Sequence, residues 1–62
     1  MKTTVKLGAG RAVTIEPGEE GVRIAYEIWG VPLEASEITP DQAGALLFGI
    51  EQALEAVRVR VK

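Results

Sequence analysis

Apolar and polar residues alternate along the first part of the chain in short segments separated by turns. Residues 3–7, 11–16 and 22–28 place apolar side chains at every second position, and a fourth segment, 33–37, follows a Trp-Gly pair. A period of two residues is typical of a β-strand with one buried face, and the intervening glycines and prolines supply the turns. The pattern therefore predicts a four-stranded antiparallel meander.

A proline stands close to the start of the fourth segment, at position 32. Because proline has no N–H to donate to a neighbouring strand, it is found in edge strands or where a strand is irregular. We therefore expect the fourth strand to lie at an edge of the sheet, or to be irregular at its start.

The remainder of the chain changes to a period of about 3.6 residues. Thr39, Pro40, Asp41 and Gln42 have the composition of a helix start: a capping hydroxyl, a proline that needs no N–H, and Gln at the capping-box position. Apolar residues then recur every three or four positions. They are Ala43, Leu46, Leu47, Ile50, Ala53, Leu54 and Val57. We call them the sheet-facing stripe, and we expect a helix over about 40–56 that packs them on the meander.

The predicted fold is a single small α+β domain over 1–62, with a four-stranded antiparallel β-meander followed by one α-helix packed on one face (ββββα). Its expected core consists of Val5, Leu7, Val13, Ile15, Val22, Ile24, Tyr26, Ile28, Leu46, Leu47, Ile50 and Leu54. A chain of 62 residues is near the lower limit for a self-sufficient core, and it has no cysteine or histidine for a disulfide or a zinc site. Association of two copies is the remaining common source of stability, so we expect a dimer.

The helix side opposite the stripe is nearly free of charge, although a surface that meets only water usually carries Lys and Glu. We call this side the outer ridge. Its residues are Ala45, Phe48, Gly49, Gln52 and Ala56. Gly44 and Gly49 each cost about 1 kcal/mol relative to alanine inside a helix, which suggests close approach by another element. We expect the outer ridge to be the dimer interface. The alternative is a tolerated surface phenylalanine beside tolerated small residues.

Residues 57–62 alternate between valine and a basic residue, which is typical of a strand, yet they follow a helix with no glycine stop. Fraying helix, disordered tail and short strand all remain open. The favoured interpretation ends the helix near Ala56 and leaves 57–62 as an extended basic tail or an edge strand. If that tail paired near the first strand, the basic residues would form one patch of Lys2, Lys6, Arg58, Arg60 and Lys62.

The charge distribution raises a second class of function, the binding of single-stranded nucleic acid. Basic side chains at both ends could contact phosphates, and a tryptophan could stack on a base. The residues concerned are Lys6, Trp29, Arg58, Arg60 and Lys62. A net charge of −2 opposes this, because all nine acidic residues lie between the basic ends. Trp29 fits two other roles equally well: an anchor for a protein partner, or a ring folded over its own sheet.

No group of residues has the pattern of a catalytic or metal site. The chain has no His or Cys, and the close carboxylate pairs fall in a turn, on an exposed strand or on a solvated side of the helix. We therefore expect no enzymatic activity, no metal and no cofactor. No apolar run approaches the roughly 20 residues of a membrane span, and the N-terminus lacks the apolar segment of a signal peptide. We expect a cytoplasmic protein without a membrane partner.

These observations together predict a small non-catalytic interaction protein, regulatory or accessory, that acts as a homodimer and binds another macromolecule, most simply a protein. The absence of His, Cys and Asn beside abundant Glu and Arg fits a thermostable protein from a heat-adapted source, or a high-GC source. The alternative is the single-stranded nucleic-acid-binding protein described above.

Overall fold

A computed structural model describes residues 1–61 of the chain. Four strands are followed by one helix: β1 (Thr3–Gly8), β2 (Arg11–Pro17), β3 (Val22–Ile28), β4 (Val31–Ile38) and α1 (Pro40–Val61). The strands form one open antiparallel sheet in the order β1-β2-β3-β4. The predicted ββββα architecture of the α+β class is therefore confirmed.

Strand pairing assigns the apolar residues to one face of the sheet. Val13 pairs with Val5 on one side and with Tyr26 on the other, and Ile15 pairs with Ile24. Because side chains alternate between the two faces, residues paired across strands point to the same side. We call this side the apolar sheet face. Its apolar members are Val5, Val13, Ile15, Val22, Ile24, Tyr26, Ile28 and Ile38, and the polar residues Thr3, Arg11, Glu34 and Ser36 share the face at its margins.

The other side, which we call the polar sheet face, has small residues at its centre and charged residues around them. Thr14 pairs with Thr4 and Ala25, and Ala25 pairs with Ala35, so this row crosses all four strands. The remaining members of the face are Lys6, Ala12, Glu16, Arg23, Glu27 and Glu37.

The fourth strand lies at an edge of the sheet and is irregular near its start, as predicted for a strand containing Pro32. Glu34 pairs with Tyr26 and Pro32 pairs with Glu27, which leaves Leu33 as an extra residue at a β-bulge. The strand is longer than the predicted 33–37, because the bulge lets the proline remain in the sheet without interrupting the pairing.

Both hairpin turns at one end of the sheet use left-handed backbone conformations. The β1–β2 turn has φ angles of 53° at Ala9 and 76° at Gly10, and the β3–β4 turn has 53° at Trp29 and 80° at Gly30. Two successive positive φ angles are typical of the type I′ turn that connects twisted strands tightly. The Trp29 N–H donates to the Gly10 carbonyl at 2.7 Å, which joins the two turns.

The helix begins with the capping box that the sequence predicts. The Gln42 N–H donates to Thr39 Oγ1 at 3.1 Å, and the Thr39 N–H donates to Gln42 Oε1 at 3.0 Å. The first helical hydrogen bond follows at once, from the Ala43 N–H to the Thr39 carbonyl at 2.9 Å. Thr39 is therefore both the cap and the only residue between β4 and α1.

The helix ends later than expected. It continues to Val61, so the prediction of an extended tail or edge strand from residue 57 is wrong for 57–61, and Lys62 lies outside the described residues. Adding residues to an existing helix requires no new nucleation. Arg58 and Arg60 in the last turn also interact favourably with the negative end of the helix dipole.

The expected core is not buried within one chain. In the described part, no apolar side chain is buried, and the one buried side chain is that of Thr14, at 5% exposure. Val5 and Leu7 are each 45% exposed, and Leu47 is 60% exposed. Ile15, Leu46, Ile50 and Leu54 are exposed too, whereas Val13, Val22, Ile24, Tyr26 and Ile28 are half-buried. The prediction of a closed helix-on-sheet core is therefore wrong for the single chain.

The reason is a groove between the helix and the sheet. The first turns of α1 lie on the side of the apolar sheet face, but an apolar groove of about 250 Å³ remains between them. Its walls are Ile15, Val22, Ile24 and Ile38 from the sheet and Ala43, Leu46, Leu47 and Ile50 from the helix. Protein interiors normally leave no such space unfilled.

The overall dimensions agree with an open arrangement. The radius of gyration is 13.4 Å, whereas a compact chain of this length has about 10.6 Å. The accessible surface is 5142 Å² for a 6.6 kDa chain, whereas a folded monomer of that mass exposes about 3,900 Å². One chain therefore exposes about 1,200 Å² more surface than a compact monomer of the same mass.

We expect Thr39→Ala to lower the free energy of unfolding by about 1 kcal/mol, because it removes the side-chain acceptor of the capping box. Thr39→Ser is the matched control, since it keeps the hydroxyl and should stay close to the parent chain. Urea unfolding followed by circular dichroism at equal protein concentrations measures both. Equal losses in the two variants would show that the capping hydroxyl does not stabilise the helix.

Candidate interaction surface

The helix α1 presents apolar side chains on two sides, and both sides are exposed in the single chain. On the sheet-facing stripe, Leu46, Ile50 and Leu54 are exposed although the groove lies beside the first two. On the outer ridge, Phe48 is 63% exposed. Apolar sides of a helix normally pack against another element, and here neither side is fully covered.

The outer ridge is longer than the sequence indicated. Because α1 continues to Val61, Val59 lies about three helical turns beyond Phe48 and on the same side of the helix. Its side chain is 64% exposed. Sequence reasoning missed Val59 because it treated residues 57–62 as an extended tail, although the eleven-residue spacing from Phe48 was available as a signal.

Neither glycine inside the helix is required by a contact in the single chain. A Cβ added at Gly44 or at Gly49 would meet no atom within 4 Å. Each glycine weakens the helix relative to alanine, so its position calls for some other benefit. Gly49 lies within the outer ridge, where a second molecule could approach the backbone closely.

Beyond the first turn, the charged residues of the helix are concentrated on one flank between the two apolar sides. We call it the charged flank, formed by Glu51, Glu55 and Arg58. The flank on the other side, where the two apolar sides adjoin, we call the small flank. It is formed near the middle of the helix by Gly49 at the margin of the outer ridge and Ala53 at the margin of the sheet-facing stripe. The helix therefore has four distinct sides, of which only one carries several charges.

Ion pairs on the polar sheet face join Arg23 to both neighbouring strands. Arg23 lies 3.8 Å from Glu16 and 3.8 Å from Glu37, its neighbours on β2 and β4. All three side chains are at least partly exposed, and exposed ion pairs contribute little to stability. The face carries two basic and three acidic side chains, so its charge does not favour nucleic-acid phosphates.

Trp29 lies at the tip of the β3–β4 hairpin, with its ring against the neighbouring β1–β2 turn. Its indole ring lies against Gly10, where a side-chain carbon would overlap the ring. The residue nevertheless remains 78% exposed. The ring is thus fixed against the neighbouring turn while most of its surface stays available to a partner.

The predicted nucleic-acid contacts fall into separate groups. Lys6 lines a depression of about 360 Å³ at the sheet end where Trp29 lies, together with Arg11 and Glu27. Arg11 turns back to the carbonyls of its own hairpin, at 3.2 Å from Gly8 and 3.3 Å from Leu7. Arg58 and Arg60 instead occupy the end of α1. The expected patch relied on residues 57–62 pairing beside β1, which does not occur for 57–61.

Within the described residues, no group of three His, Cys, Asp or Glu side chains is placed to hold a metal ion. The helix α1, for its part, does not combine the length and apolar character that crossing a membrane requires.

Comparison of the chain with models of known protein families, with curated proteins and with solved structures gives no match. The function is therefore inferred from the surfaces of this chain alone.

Proposed function

We propose that the protein is a non-catalytic homodimer that acts by binding another macromolecule, in a regulatory or accessory role. The observation that supports the proposal most directly is the two-sided apolar helix, none of whose apolar side chains is buried in the described chain. The outer ridge, extended by Val59, supplies the self-association surface.

The amount of exposed surface fits association of two copies. The excess is about 1,200 Å² per chain relative to a compact monomer. Standard interfaces bury about 800 Å² per partner, and permanent homodimers commonly bury more than about 1,000 Å² per partner. A permanent homodimer would therefore remove about the area by which this chain exceeds a compact monomer.

Two surfaces would stay available for another macromolecule once the helix faces are covered. One is the polar sheet face around Thr14, on the side of the sheet away from the helix. The other is the hairpin end that carries Trp29. Tryptophan is enriched among the residues that dominate binding energy, and this one is already held in place by Gly10. We therefore place the partner contact at this end of the sheet.

We expect Phe48→Glu to convert the dimer into a monomer, because it would bury a charge in an apolar interface. Light scattering should give twice the 6.6 kDa chain mass for the parent protein and the single-chain mass for the variant.

The matched control is Leu33→Glu, on edge strand β4. Leu33 is 57% exposed in the single chain and Phe48 is 63% exposed, so the two substitutions would be equivalent if both residues were ordinary surface positions. The control should remain dimeric. A monomeric parent protein at high concentration would rule out the proposal.

The two helix glycines provide a second test. We expect Gly44→Ala to raise the free energy of unfolding by about 0.5–1 kcal/mol, because it strengthens a helix where no neighbour interferes. Gly49→Ala should instead weaken the dimer, because the added methyl group would occupy the space that a second copy approaches. Thermal unfolding and light scattering at several protein concentrations measure both effects. Equal stabilisation by the two variants would contradict close approach at Gly49.

Binding of single-stranded nucleic acid remains the second candidate, favoured by the exposed ring of Trp29 and the nearby Lys6. It predicts slower migration of a labelled oligonucleotide at low salt, with Trp29→Ala weakening binding by about 1–3 kcal/mol through loss of base stacking. Leu33→Ala is the control, since it leaves both residues intact. Unchanged migration with the parent protein would remove this candidate.

A further inference from the structure

We infer that each helix of the dimer lies between two sheets, with its sheet-facing stripe on its own sheet and its outer ridge on the apolar sheet face of the second copy. The inference rests on the proposed homodimer and specifies which surfaces meet in it. It differs from the simpler arrangement in which two outer ridges pack on each other.

The two apolar sides lie nearly opposite each other around the helix. At about 100° per residue, the centre of the sheet-facing stripe and the centre of the outer ridge are about 150° apart. Two nearly opposite apolar sides suit an element with an apolar layer above it and another below it. A helix that paired through a single seam would need only one apolar side.

The length of the strands leaves space beside α1. A strand of seven residues is about 23 Å long, whereas one helix with its side chains is about 10–12 Å across. The apolar sheet face therefore has room for two helices that cross its strands, and the described chain supplies one. That helix lies at the groove, beside Ile15, Val22 and Ile24 near the β2–β3 turn, while Val5, further along the sheet, remains 45% exposed. A second helix would cover the uncovered part.

The two flanks of the helix fit the same arrangement. With sheets above and below, one flank faces solvent and the other faces the second helix across the two-fold axis. The charged flank, with Glu51 and Glu55, suits solvent. The small flank, with Gly49 and Ala53, allows two helix backbones to come close.

The symmetry of this arrangement sets the relative direction of the two helices. A two-fold axis that exchanges the two sheets and also the two helices between them runs along the helices, so the helices are parallel. Gly49 and Ala53 of one copy then lie level with the same residues of the other.

The number of apolar helix sides equals the number of positions that the two sheets offer. Two sheets each offer space for two helices, and two helices each offer two apolar sides, so every apolar side meets a sheet. When two outer ridges pack on each other instead, half of each apolar sheet face stays exposed, including Val5 at 45% exposure in the single chain. Exposed apolar surface of that extent is unusual in a stable assembly.

Crosslinking between two differently substituted copies tests the inference, and the absence of native cysteine makes it specific. One copy carries Gln52→Cys at the centre of the outer ridge, and the other carries Val13→Cys on the apolar sheet face. The two variants are mixed, left until subunits have exchanged between dimers, and treated with a short thiol-reactive crosslinker. We expect the crosslinked dimer of Gln52→Cys with Val13→Cys to form several-fold faster than the crosslinked dimer of Gln52→Cys with Ala12→Cys. Ala12 is the control because it is adjacent to Val13 on β2 and lies on the opposite sheet face.

Light scattering on the same variants separates this inference from the proposed function. A dimer in which Gln52→Cys crosslinks to its own symmetry copy faster than to Val13→Cys would overturn the two-sheet arrangement and leave the homodimer standing. Equal rates with Val13→Cys and Ala12→Cys in a dimer would also overturn it. A monomeric parent protein would overturn both.

Discussion

The connection between β4 and α1 determines how much apolar surface one chain can bury. It consists of Thr39 alone, and the capping box fixes its conformation through hydrogen bonds in both directions. Gly21 of the β2–β3 turn lies so close to the Ile38 carbonyl that a side chain there would overlap it. These contacts set the direction in which the helix leaves the sheet. That direction brings the first helical turns to the groove and leaves the apolar sides of the helix uncovered.

Local sequence signals predicted every element of the fold, because each signal acts within a few residues. Each of these signals depends on neighbours in sequence or on an adjacent strand. Examples are the alternation of Val22 to Ile28, the capping residues Thr39 and Gln42, and the edge position of Pro32. The sequence could not predict how closely the helix approaches the sheet, since that distance depends on one connection angle. The predicted helix end was also wrong. The alternation of valine and arginine from Val57 has the pattern of a strand, but extending a helix that already exists needs no new nucleation, so the helix continues through these residues.

For the candidate surface, sequence alone placed Phe48, Gly49 and Gln52 together on one side of the helix, and the helix keeps them there. The sequence also predicted that the sheet would cover the sheet-facing stripe, and the sheet covers only part of it. An amphipathic pattern identifies an apolar side but not the molecule that covers it. The pattern of Leu47 and Ile50, for example, fits residues buried in the core of one chain and also residues buried in an interface with another chain.

The hairpin that ends in Trp29 has a consequence for recognition. A tryptophan with φ of 53° is in a conformation that costs a non-glycine residue roughly 1–2 kcal/mol, and here a hydrogen bond to Gly10 and the contact of the ring with that glycine hold it. The ring therefore already lies against Gly10 in the single chain. A partner that contacts it would not have to order this part of the hairpin, which lowers the conformational entropy lost on binding.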